Sequence, residues 1–170
     1  DDGYVVDGTP VSVHFDRTGA AHLPMLTTDQ VDGDPLITLA VVHPDASIVV
    51  SNPVIGEPAG PPVVAHDGRT YLPLTRFCAE TRWPKTALVV FGPDGSTVEA
   101  GEFAGHATHG PVLTSDDEVI VLTHDAGATT IRPVRTTTDS TRGAGSASAA
   151  TIVDITPTIS GINPANTLES

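Results

Sequence analysis

The chain has one cysteine, one tryptophan and one methionine among its 170 residues. Cys78 cannot form an intrachain disulfide alone, so a disulfide-stapled scaffold is excluded while the redox compartment stays open. Aromatic residues make up only 4% of the chain, so any core must be built mostly of Val, Ile and Leu. Lys and Glu are scarce, and surface helices depend largely on Glu, Lys, Gln, Arg and Leu, which excludes a mainly helical protein. Cations are few: 8 Lys and Arg stand against 21 Asp and Glu, a net charge of −13. Nucleic acids and anionic membranes both need clustered positive charge, so neither is an expected partner. No apolar run reaches 18 residues, so no transmembrane helix and no membrane insertion are expected. The chain starts Asp1-Asp2-Gly3 without Met or a signal peptide, as a mature or excised fragment does. Together with a tail rich in Thr, Ser, Pro and Ala, this gives a secreted or cell-surface protein as the expectation.

What is abundant is turn and strand chemistry: 16 Gly, 15 Pro and many β-branched residues. Residues 19–63 align with residues 68–112 without a gap, giving thirteen identities in 45 positions at an offset of 49. Among them are Leu23/Leu72, Pro44/Pro93, Asp45/Asp94, Ser47/Ser96 and Gly56/Gly105, so turn residues and apolar residues keep one register. The offset continues into Pro111–Asp116 and Ile120-Val121, and a shortened third copy ends near Val134. Within the second copy four strands are expected, at 62–66, 69–75, 86–91 and 97–103. Asp67-Gly68 reads as a tight hairpin because Gly tolerates positive φ. Pro93-Asp94-Gly95-Ser96 reads as a turn in which Pro fixes φ and the Asp side chain caps the following amides.

Four antiparallel strands in 40–50 residues is the size of one propeller blade. The expected fold is therefore all-β: a propeller-like array of about three four-stranded antiparallel blades over residues 1–135. Tyr4-Val5-Val6 falls at an outer-strand position, and Thr151–Ile155 is a second candidate for completing the last blade. Three blades fall short of the usual four to eight. A homodimer with six blades, membership of a larger ring, and an irregular sandwich or barrel all follow as options. Residues 136–170 read as a low-complexity linker and extended tail.

The unit PVVAHDGRTYLPL … TALVVFGPDGSTV … G resembles the PDG-turn blades of NHL/YVTN-like propellers. It is similar also to the tandem DG/PDG repeats of large secreted actinobacterial (mycobacterial) proteins. The resemblance covers residues 10–134 and implies a scaffold for binding or for cell-envelope architecture. The Trp-Asp pair of WD40 blades, the double Gly of kelch and the sialidase box are missing, so no catalytic residue carries over.

Candidate sites lie where the copies differ. Loop 76–85 gathers Arg76, Phe77, Arg82, Trp83 and Lys85, residue types enriched at interaction hot spots. Its counterpart, 27–36, is acidic and without aromatics. His106 and His109, three apart, and the acidic cluster Asp29, Asp32 and Asp34 are candidate metal ligands, the latter for Ca²⁺. The His–Asp neighbours at 66–67 and 124–125 are poor acid–base pairs, since adjacent strand residues point to opposite faces. No nucleophile elbow is present. A non-enzymatic module binding a protein or glycan, without cofactor, is the leading expectation. A propeller-scaffold hydrolase or lyase, assisted by calcium, is the alternative.

Overall fold

A computed structural model of the chain describes residues 7–29, 33–77, 84–107, 109–115, 118–125, 128–135 and 151–152. Among these the chain is all-β, in three antiparallel sheets taken up in chain order. The first sheet holds β1 (Thr9–Pro10), β2 (His14–Phe15), β3 (Ala21–Thr28), β4 (Pro35–Val42), β5 (Ile48–Val50) and β6 (Val54–Ile55). The second holds β7 (Glu57–Pro58), β8 (Val63–Val64), β9 (Thr70–Phe77), β10 (Pro84–Phe91) and β11 (Thr97–Ala104). The third holds β12 (His106–Ala107), β13 (Val112–Leu113), β14 (Val119–Asp125), β15 (Ala128–Arg135) and β16 (Thr151–Ile152). Each is a four-position meander, because β1 and β2 share one partner, as do β5 and β6, β7 and β8, and β12 and β13. The second strands start at residues 21, 70 and 119, each 49 after the last. No helix among the described residues is long and apolar enough to cross a membrane.

The hairpins form because their turns are chemically specified. In four of them a three-residue loop closes with a backbone bond from the loop's last amide, as in Gly68 N to Ala65 O (3.0 Å) and Gly95 N to Gly92 O (3.0 Å). That last residue takes positive φ, which Gly19, Gly68 and Gly95 adopt freely. The fourth is Ala46, at φ 65. In the Pro-Asp-x-Ser turns, Asp45 Oδ1 accepts from Ser47 N (2.9 Å) and Oγ (2.6 Å). Asp94 does the same with Ser96, at 3.0 and 2.5 Å. The Ser hydroxyl and then the Ser amide hold both carboxyls below the usual range.

The sheets stack face to face, the second between the other two. Ile37, Leu39 and Val41 of the first pack against Leu72, Leu74, Val89 and Phe91 of the second. On its opposite face, Tyr71, Leu88, Val90 and Phe103 pack against Val119, Val121 and Val134 of the third. Alternate residues of β9 and β10 thus face different neighbours, which explains a nearly unbroken apolar run where a one-sided strand would alternate. A bulge between Leu88 and Val89 in the β10–β11 register leaves Ala100 unpaired and turned into the core.

The chain passes between sheets at glycines. Gly56 (φ 140) leads from β6 to β7 and Gly105 (φ 86) from β11 to β12, while Gly8 (φ 122) precedes β1. A Cβ at Gly8, Gly56 or Gly105 would press on the carbonyl of Leu26, Thr75 or His124 respectively, positions that are themselves 49 apart. The fourth position of the third sheet is taken by β16, whose Ile152 lies opposite Val134. That strand is the second completing candidate named from the sequence. Tyr4–Val6 lies outside the described residues.

Candidate functional site at the hairpin end

One end of the stack carries the first and third hairpins of the first two sheets and the 114–118 turn of the third, and a cavity of about 560 Å³ opens there. All three sheets contribute to its wall: Phe15 and Arg17 from the first, His66 and Asp67 from the second, Leu113 from the third. His43 and Pro93 close it from the turns after β4 and β10. Phe15 is 70% exposed, an unusual state for a Phe at the mouth of a concave surface. Asp67 is ion-paired to Arg69 Nε at 2.5 Å, and the Arg69 guanidinium lies 6.0 Å from the Tyr71 ring centre.

Beneath this wall runs a buried polar relay. Asp16 Oδ2 lies 3.3 Å from His22 Nε2, and His22 Nδ1 lies 2.7 Å from Thr70 Oγ1. Asp16 also accepts from Thr18 N (2.8 Å), Thr18 Oγ1 (2.7 Å) and Ala20 N (2.9 Å). Burial pushes the Asp16 carboxyl up, but these bonds and His22 together outweigh it and hold the pKa at about 2. An ionised Asp16 can only accept, so the proton toward it sits on Nε2. In the neutral ring, Nδ1 then accepts the Thr70 hydroxyl proton.

Carboxylate, imidazole and hydroxyl in this order match a nucleophile relay. Burial decides otherwise: His22 is 1% exposed and Thr70 0%, so no substrate reaches the hydroxyl. The relay is a polar staple between the first and second sheets, satisfying groups that would be costly to bury alone. Its signal in the sequence is the pairing of His22 with Tyr71 in the repeat. A titratable ring stands at a core strand position, and its partner 48 residues away is invisible without the fold.

Arg76, Phe77 and Lys85, the described ends of loop 76–85, lie at the opposite end of β9 and β10 from the cavity. Arg76 Nε donates to Ile55 O (2.9 Å), and Nη1 lies 2.6 Å from Glu99 Oε2 and 3.5 Å from Glu102 Oε1. It therefore ties the second sheet to the first. Lys85 Nζ lies 3.6 Å from Glu102 Oε2, on the same cluster. Phe77 is 72% exposed at the strand end. Arg82 and Trp83, like Cys78, lie outside the described residues.

The metal candidates fall into separate places. His106 starts β12 and sits opposite His124 of β14, so its cross-strand neighbour is His124 rather than His109. His109 lies beside the close approach of two loops, where a Cβ at Gly60 would stand 2.8 Å from the Gly110 amide nitrogen. Asp29 and Asp34 close the β3–β4 connection, with Asp29 N donating to Asp34 O at 2.8 Å, and Asp32 lies outside the described residues. Among the described residues, no three His, Cys, Asp or Glu side chains group closely enough to hold a metal ion. Compared with known proteins, the chain matches no protein-family model and no curated protein.

Proposed function

We propose that the chain is an exported, non-enzymatic binding module, a propeller-like array of three four-stranded sheets that takes a glycan in the hairpin-end cavity. The observation that carries this reading is Phe15, an exposed ring on a concave wall that also presents Arg17, His43 and His66. A sugar ring offers an apolar C–H face and many hydroxyls. An aromatic platform beside imidazole and guanidinium suits both. The resemblance to PDG-turn blades of secreted proteins supports the same role. Titration with neutral and acidic oligosaccharides tests it. Phe15→Ala should weaken binding about tenfold or more with the unfolding midpoint unchanged, because the ring contributes little to the core. No binding across such a panel, or binding indifferent to Phe15→Ala, overturns the proposal.

One observation favours the hydrolase or lyase reading: the wall draws Asp16 and Asp67 with His43 and His66 from two sheets. A catalytic acid or base needs a pKa near the working pH. Asp16 is held at about 2 by its local bonds, and Asp67 is engaged by Arg69. That pairing suits rigid wall residues rather than proton carriers. Release of reducing ends from a bound glycan, with or without Ca²⁺, would reverse this preference.

A further inference from the structure

The chain makes one kind of sheet-to-sheet junction twice. In both, the face that each sheet turns toward its successor carries equivalent residues. Leu39 lies opposite Pro24, Leu88 opposite Pro73, and Ile131 opposite Leu122, with the partners 49 residues apart. Leu39 is 2% exposed and Leu88 0%, but Ile131 is 44% exposed. The same position is buried where a following sheet packs on it and open on the last described sheet. Ile120 and Pro133 share the outward face with Ile131 and Leu122.

The first sheet carries the matching residues, and its opening lies at the β5 edge. On the second sheet, Leu72, Leu74, Val89 and Phe91 pack onto the sheet before it. Their equivalents 49 residues earlier are Leu23, Met25, Ala40 and Val42, on the outward face of the first sheet, where Leu23 and Val42 are half-buried while Met25 is 8% and Ala40 3% exposed. Val50, opposite Ala40, extends that face and is 39% exposed. The outer faces of the first and third described sheets therefore correspond to the two unlike halves of a junction that the chain already forms internally.

We infer that these faces meet between two copies of the chain, the third sheet of each packing on the first sheet of the other. Unlike faces close into a ring when the rotations add up, and two three-sheet copies give six sheets, within the range of closed propellers. The cavity is completed by this closure, since its wall includes first-strand residues Phe15, Val64 and Leu113 of successive sheets. The partner supplies the other half of the rim. This inference rests on the propeller-like reading above.

Sedimentation of the 170-residue chain at micromolar concentration tests it. A single species of twice the chain mass is expected. Ile131→Glu and Val50→Glu should each raise the dissociation constant roughly tenfold or more. Val98→Glu, at an exposed site on β11 away from both faces, should leave it unchanged. A monomer, an open ladder of higher species, or a dimer indifferent to both Ile131→Glu and Val50→Glu overturns the inference. Glycan titration of the unsubstituted chain, read beside its sedimentation, separates the two proposals: Phe15-dependent binding by a monomer keeps the binding module and removes only the ring. A dimer without glycan binding does the reverse.

Discussion

The second sheet and its two neighbours share a strand plan but not a situation. The second is covered on both faces, and β10 reads as one apolar run from Ala87 to Phe91, all of it buried. Among the described residues the first and third each pack on one neighbouring sheet, and the same plan leaves Val50 and Ile131 in contact with water. Equivalent residues therefore carry different energetic weight according to what stands beside the sheet. In a stack of repeated units each interface is a separate contribution, and interior units hold two of them.

The sharpest way to break this comparison is to cut the same lattice point in two sheets. Leu88→Ala should destabilise the chain by about 3 kcal/mol, and Ile131→Ala in dilute protein by less than about 1 kcal/mol, as read by urea unfolding. Equal losses would mean that the third sheet is covered in solution even when the protein is dilute. Gly105→Ala comes next, at about 2 kcal/mol or more, since a side chain there needs positive φ and meets the His124 carbonyl. Its effect should exceed that of Gly33→Ala, where no atom lies within 4 Å of the added carbon.

Asp16→Asn probes the staple and should cost about 2 kcal/mol near neutral pH through lost charge-assisted bonds. Because the folded pKa of Asp16 is depressed from 3.8 to about 2, its stabilisation is complete above about pH 4 and fades as pH falls toward 2. The gap between wild type and Asp16→Asn should close over that window. A gap that persists at pH 2 would assign the loss to geometry rather than charge. The smallest effect has the opposite sign. Ala46→Gly, which copies the twin turn at Gly95, should stabilise by about 1 kcal/mol by relieving positive φ, measured as a raised unfolding midpoint.

Local chemistry made much of the fold legible. Expected strands at 69–75, 86–91 and 97–103 correspond to β9, β10 and β11, because Asp-Gly and Pro-Asp-Gly-Ser specify their turns from neighbouring residues alone. The strand ends at 76–77 and 84–85 escaped notice, since a loop rich in polar residues resembles its flanking strand ends. Residues that work across sheets were less readable. Arg76 looked like a hot-spot cation, but its partners Ile55, Glu99 and Glu102 come from other strands. The cavity is hard to read from the sequence for a related reason: Phe15 and His66 sit beside turns that repeat, not in the loops where the copies differ.

The glycines at positions 56 and 105 carry a lesson about ancestry. Each 49-residue unit contains its own exit joint and the carbonyl against which the preceding joint rests. A tandem duplication therefore brings a ready-made junction with it and requires no compensating change elsewhere. Such a chain can lengthen by whole units under selection for size alone. Its copies are then free to diverge at their rims while the joints stay fixed.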